Sequence, residues 1–256
     1  MEALCVTQIP HGSFEHNHPI PSKDTTTSMF VTRASDFDPD QVQVGAARER
    51  PGGGKTVPLL YSNGSRLRLQ TPIMPAVFGV SSYEERGVVK SYSLALSFRD
   101  IDRDEISEFQ RKLETLDELL IKTAVEQSEQ FFGKALSQEE VSGMYRRILS
   151  HPNRAYPPLI KLKIDVEKTG LPTAQFYDEN RNLTTVDHVG KGDMAKVIAG
   201  LGNIWFMNGK FGATLNAQQV QTVKTVKTVK TVKTVQGTRI PASADRLDPS
   251  IGQLFL

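Results

Sequence analysis

Lys161 and Lys163 stand two residues apart in the run Leu159-Ile160-Lys161-Leu162-Lys163-Ile164, which is entered through Tyr156-Pro157-Pro158. Side chains alternate across a strand, so Ile160, Leu162 and Ile164 point one way and Leu159, Lys161 and Lys163 the other. The first face needs a core. The second presents two ammonium groups on a rigid platform, which suits a polyanion. Alone, such a strand is more often the solvated side of an antiparallel sheet. Two other segments repeat the device, one with Tyr61, Arg66 and Arg68, the other with Trp205, Met207 and Lys210. Cations that follow a phosphate backbone, interleaved with aromatic faces that stack on unpaired bases, form the mixture that single-strand recognition requires. A lone tryptophan in an apolar strand is more often a core residue, and Phe206 and Phe211 are the better core residues of that segment.

Catalytic constellations are not visible. His11, His16 and His18 are spaced like a metal-binding tract but lie in a polar segment with no cysteine nearby, so no metal is expected. Gly52-Gly53-Gly54-Lys55-Thr56 fails as a phosphate loop because Glu49 stands where the first glycine belongs and Val57-Pro58 cannot open the required helix. Gly200-Leu201-Gly202 lacks the third glycine of a dinucleotide fingerprint. The acidic pairs Asp102/Asp104 and Glu139/Glu140 stand at helix starts, where the dipole favours carboxylates. No Gly-x-Ser-x-Gly elbow occurs. The expectation is a non-enzyme without a cofactor.

Three kinds of element must position the basic and aromatic residues. Strands are expected at 56–62 and 65–71, joined by Asn63-Gly64 so that Tyr61 faces Arg66, then at 88–98, 159–164 and 173–177. Thr71-Pro72-Ile73-Met74-Pro75 reads as a break in the sheet. A long helix is expected over 104–132, with an apolar stripe from Ile106 through Phe109, Leu113 and Leu116, stopped by Gly133. Ser137-Gln138-Glu139-Glu140 is a capping box for a shorter helix to about Leu149. A second hairpin, 194–207 with 210–223, turns at Asn208-Gly209 and sets Phe206 against Phe211 and Trp205 against Gly212. About half a dozen short strands around a helical insert suggest a mainly β barrel or sandwich.

The ends differ from the middle. Residues 1–55 are rich in His, Pro, Ser, Thr and Asp without a sustained period, and are expected to be disordered. The core domain is expected at 56–221, with its helical insertion at about 102–150. Residues 222–256 hold a Val-Lys-Thr repeat and a tail. The net charge is only +2, but seven basic residues against two acidic ones follow Gly209, so the excess positive charge lies in the C-terminal segment. Cys5 is the single cysteine, which fits a reducing compartment. No apolar run reaches the roughly 18–20 residues of a membrane span, and the N-terminus lacks the pattern of a secretory signal.

The run from Lys55 to Val80, containing Leu59-Leu60-Tyr61-Ser62-Asn63-Gly64-Ser65-Arg66-Leu67-Arg68, resembles the opening of the single-stranded DNA-binding proteins of large DNA viruses of algae and protists, relatives of the replication single-strand binders of short-tailed coliphages. The resemblance continues through 92–98, Leu116-Asp117, 128–134, Tyr156-Pro157-Pro158 with Lys161 and Lys163, Ile204-Trp205 and Gly209-Lys210-Phe211-Gly212, and covers 55–220. It implies an oligonucleotide-binding (OB) barrel with a helical insertion, no catalysis, and coating of exposed strands in replication and recombination. The binding positions would be Arg66, Arg68, Lys161, Lys163, Lys210, Tyr61 and Trp205. The phage relatives end in a strongly acidic tail with a terminal aromatic. Here the end carries only Asp245 and Asp248, which argues against autoinhibition, while Ile251, Leu254 and Phe255 form an apolar anchor for a partner.

The expected partners are single-stranded DNA and, through that tail, viral replication proteins. A homodimer is compatible with the sequence, and no membrane is expected. The expected location is intracellular, at viral replication sites in the nucleus or cytoplasm of the host, with packaging in the virion as an option. The alternative is a virion structural or interaction protein on the same barrel, contacting genome or capsid.

Overall fold

The alternation at 159–164 is realised as written. In the computed structural model, which describes residues 30–49, 54–153 and 155–223, Ile160, Leu162 and Ile164 are fully buried while Lys161 and Lys163 are exposed. This strand is the third of five that close a barrel: β1 (Met74–Glu85), β2 (Val88–Ser97), β3 (Leu159–Ile164), β4 (Met194–Leu201) and β5 (Leu215–Val223). Pairing runs β1-β2-β3-β5-β4 and returns to β1 through Met194 opposite Pro75 and Ala195 opposite Met74. All pairs are antiparallel except β3 with β5. The protein is therefore mainly β with a helical insertion, on an OB-like barrel. The inward residues, among them Met74, Leu94, Leu96, Leu162, Val197 and Val220, are sealed from solvent.

The insertion between β2 and β3 holds α1 (Asp104–Glu126), α2 (Ser128–Phe132) and α3 (Gln138–Met144). Ile106, Phe109, Leu113, Leu116, Leu120 and Ala124 form one buried stripe of α1 at helical spacing. Phe109 stacks on Phe98 just past β2, with ring centroids 5.9 Å apart. Gly133 adopts φ +76° and ends α2. Ser137 and Glu140 form the expected capping box of α3. That helix ends at Met144, short of Leu149, because Tyr145–Arg146 is taken up as a strand beside Lys210–Gly212. Among the described residues, no helix is long and apolar enough to cross a membrane.

Three expectations are corrected. Residues 30–49, expected to be disordered, are part of the fold. Phe37 is 1% exposed in the core, Thr32–Arg33 pairs with Arg68–Gln70, and Gln43–Val44 pairs with Leu59–Leu60. The break expected at 71–75 is confined to residues 71–73, because β1 begins at Met74 and runs for 12 residues.

The Asn63-Gly64 turn has a different register. The Tyr61 N–H donates to the Ser65 carbonyl at 2.8 Å, the Tyr61 carbonyl accepts from the Gly64 N–H at 2.7 Å, and only Gly64 of the turn takes a positive φ. The added turn residue slips the register by one, and a slip of one turns side chains to the opposite face. Tyr61 is thereby separated from Arg66 and Arg68. By contrast, Asn208 and Gly209 both take positive φ, and the pairs Trp205–Gly212, Phe206–Phe211 and Met207–Lys210 form as expected.

Candidate nucleic-acid interface

Lys161 and Lys163 project from the outer face of β3. Their partners on β2 are Ala95 and Ser93, and Ser93 in turn faces Ser81 on β1. Paired residues share a face, so small side chains form a floor beside the two lysines. Tyr83, 61% exposed, pairs with Ser91 at the next outward position toward the β1–β2 turn. That turn is tight, with Glu85 opposite Val88 and with Arg86 and Gly87 both at positive φ.

The opposite wall comes from the β4–β5 connection. Its hairpin, Ile204–Met207 with Lys210–Gly212, leaves the barrel to join a second sheet. Trp205 is half-buried there and lines the cleft, whereas Phe211 is buried and Phe206 packs at 5.6 and 5.7 Å from Phe131 and Phe132. The segment after α3 adds Arg146 and Arg147. The resulting cleft, about 660 Å³, is lined by four basic side chains (Arg146, Arg147, Lys161 and Lys163) and by no carboxylate.

Helix α1 holds the two arginines in place. The Tyr145 hydroxyl donates to Asp117 Oδ1 at 2.7 Å, and the Ile148 N–H donates to the same oxygen at 3.0 Å. Asp117 is fully buried, and burial pushes its carboxyl above the ordinary carboxylate range against the pull of those two donors. Burial, and after it the same carboxylate, raise the Tyr145 hydroxyl, which stays protonated. Next along the helix, Glu118 meets Arg147 at 2.7 Å. Asp165 pairs with Lys163 at 2.6 Å, while Lys161 makes no ion pair among the described residues.

The other expected positions divide. Arg68 is on the same outer wall as Lys163, reached along the paired row Arg68–Gly200–Asn216–Lys163. Yet Arg66 and Arg68 line a second cleft, of about 720 Å³, and not the first. Arg68 donates to Gln218 at 2.6 Å across Gly200, where a Cβ would come within 2.8 Å of the Gln218 amide nitrogen. In the Gly200-Leu201-Gly202 run it is Gly202 that meets backbone, where a Cβ would stand 2.9 Å from the Thr214 carbonyl oxygen.

Tyr61 lines neither cleft. Its hydroxyl accepts from the Asp38 N–H at 3.2 Å, and its ring stands 6.4 Å from that of Phe37. Lys210 also lines neither, and donates to the Gly143 carbonyl at 2.7 Å. Ile251, Leu254 and Phe255, like the histidine tract, lie outside the described residues. Sequence reasoning missed Tyr83, Arg146 and Arg147. Arg146 and Arg147 read as the end of a helix, and the alternation around Tyr83 is masked by Gly79 and by the run of exposed polar residues that follows.

Residues 96–234, more than half of the chain, match the model of a family described as of unknown function, DUF5871. The chain belongs to that family. A comparison with curated proteins found no match. Among solved structures, gp2.5, a single-stranded DNA-binding protein encoded by bacteriophage T7, is similar at 14% identity and a TM-score of 0.42, covering 70% of this chain and 100% of that one. The single-stranded DNA-binding protein of bacteriophage Enc34 is similar at 13% identity and a TM-score of 0.34, covering 72% of this chain and 90% of that one. The same phage protein in complex with single-stranded DNA gives 13% identity, a TM-score of 0.35 and coverages of 70% and 95%. None of these likenesses assigns a role to a residue of the DUF5871 chain.

Proposed function

We propose that this protein binds single-stranded DNA with little sequence preference and coats exposed strands during viral DNA replication and recombination. One observation carries the reading. Four cations, a half-buried tryptophan and an exposed tyrosine surround a floor of small side chains on the β2–β3 face, between the β1–β2 turn and the β4–β5 connection. OB barrels take oligonucleotides on that face and those loops. Cations there meet phosphates, and Trp205 and Tyr83 offer π-faces that accept any base. The viral setting, and action at viral replication sites, are supported by the resemblance of residues 55–220 described above.

The test is a titration of labelled single-stranded DNA and RNA oligonucleotides at several salt concentrations. Binding at micromolar concentration or tighter is expected, weakening as salt rises because phosphate contacts release counterions. No binding at low salt would overturn the proposal. Binding that is independent of salt would remove the basic groove from it.

A further inference from the structure

The outer face of β3 does not end at the lysines. Leu159 shares it, one two-residue step of about 7 Å before Lys161, and pairs with Ser97 as Lys161 pairs with Ala95. Leu159 forms part of a third, apolar cleft of about 560 Å³ with Phe78, Tyr156, Arg99 and Asn153. Two large rings stand open there, Phe78 at 61% and Tyr156 at 68% exposure.

Neither exposure is a fraying end. Between the pairs Ala76–Leu96 and Val80–Leu94, β1 carries three residues where β2 carries one. This bulge drives Phe78 outward, as bulges commonly re-aim a side chain. Gly79 locks it at φ +67°, pressed so close that a Cβ would stand 2.8 Å from the Val189 carbonyl oxygen. On the other side, the Tyr156 N–H donates to the Asn153 carbonyl at 3.0 Å and the Ala155 N–H to the Asn153 side chain at 3.0 Å, a turn that holds Tyr156 at the lip.

Resting on the reading of the basic groove as a single-strand site, we propose that this apolar cleft is a base-stacking subsite that takes unpaired nucleobases of the same strand. The strand follows β3, setting phosphates against Lys163 and Lys161 and bases against Phe78 and Tyr156. The Arg99 guanidinium, at the rim and 3.7 Å from Asp100, serves the phosphate beyond. The cleft has the volume of a small-ligand site, and it is narrow for the interface a stable protein partner requires.

The variants are Phe78→Ala, Tyr156→Ala and the pair, with Tyr156→Trp as the conservative control. The probes are an oligothymidylate strand and an abasic phosphodiester strand of equal length. On oligothymidylate the double variant is expected to lose at least about fivefold in affinity, the lower bound for one stacked base. Affinity for the abasic strand and the salt slope should not change, and Tyr156→Trp should bind as the parent does. Equal loss on both strands overturns the subsite, as does no loss on either. No loss on either strand with reduced self-association in sedimentation assigns the cleft to a protein contact and overturns it as well. Failure of the parent protein to bind either strand at low salt instead overturns the reading of the groove, so the two failures are distinguishable.

Discussion

Trp205 lies across Gly212, its partner in the Asn208-Gly209 hairpin. A Cβ at Gly212 would meet the indole Cζ2 at 3.1 Å and the Arg146 carbonyl oxygen at 2.7 Å. One hydrogen-sized side chain therefore sets the distance between the aromatic wall of the groove and the segment that carries its arginines. Gly212→Ala should push the two apart, at a cost of about 1–3 kcal/mol, as for other overpacked sites. Trp205 is the single tryptophan, so its emission reports this wall alone. Single-stranded DNA should quench it in the parent protein and quench it less in Gly212→Ala. Equal quenching would show that Gly212 does not set the position of this wall, and no quenching of the parent would show that the indole does not meet bases.

The two lysines of β3 are not equivalent. Lys163 already pairs with Asp165, whereas Lys161 makes no ion pair among the described residues. An exposed pair contributes about 0–1 kcal/mol to stability, yet a phosphate must displace it to reach Lys163. Lys161→Ala is therefore expected to weaken DNA binding more than Lys163→Ala. It should lower the salt slope by about 0.7, the value for one phosphate contact on a single strand. Asp165→Asn should tighten binding by roughly twofold to fivefold, the gain of an exposed pair's worth of charge. Equal effects of the two lysine substitutions, measured by titration at three salt concentrations, would remove the distinction.

Asp117 connects stability to the site. It holds Tyr145 and Ile148, on either side of the two groove arginines, and burial raises its pKa. Between the ordinary value near 3.9 and its raised folded value, the native protein keeps a proton that the unfolded chain has released. The contribution is therefore largest below the unfolded value and is lost as pH rises through the folded one. Asp117→Asn cannot ionise and keeps the Oδ1 acceptor. Its stability relative to the parent should rise between pH 4 and pH 7 in urea unfolding. Asp117→Ala leaves the Tyr145 hydroxyl and the Ile148 N–H buried without that acceptor, and should cost on the order of 2–4 kcal/mol at any pH in this range. A flat difference between Asn and parent would place the carboxyl pKa at its ordinary value.

What the sequence revealed of all this depended on whether local rules decided the outcome. At 159–164 the alternation of apolar and basic residues has one solution, and the strand adopts it. Asn208-Gly209 takes the two positive φ values that fix a two-residue turn, so its register was legible. Asn63-Gly64 looked identical, but Asn63 there accepts from the Ser65 N–H and hydroxyl at 2.9 and 2.6 Å and keeps a negative φ. That local hydrogen bonding selects a longer loop, and the error moved Tyr61 onto the wrong face. β1 was hidden by Pro75 and Gly79, both poor strand residues, which barrel closure and a bulge accommodate. Arg146 and Arg147 were hidden because the buried Asp117 that places them lies 28 residues from Tyr145 in sequence.

The separation of Arg66 and Arg68 from the lysines makes a length-dependent prediction. The two clefts share the barrel's outer wall and adjoin on β5, where Leu215 lines the first and the row from Gly200 to Asn216 lines the second. A short strand seated on β2 and β3 fills the first cleft without reaching the second. A longer one continues over the row toward Arg68, whose contact with Gln218 positions its guanidinium at the edge. Arg66→Glu with Arg68→Glu is therefore expected to leave the affinity for a short oligonucleotide within about twofold of the parent. For a long one it should remove on the order of two phosphate contacts, seen as a drop of about 1.4 in the salt slope. Oligothymidylates of increasing length, titrated against parent and variant, would show the two affinities diverging at one length. Parallel curves at every length would confine the strand to the first cleft.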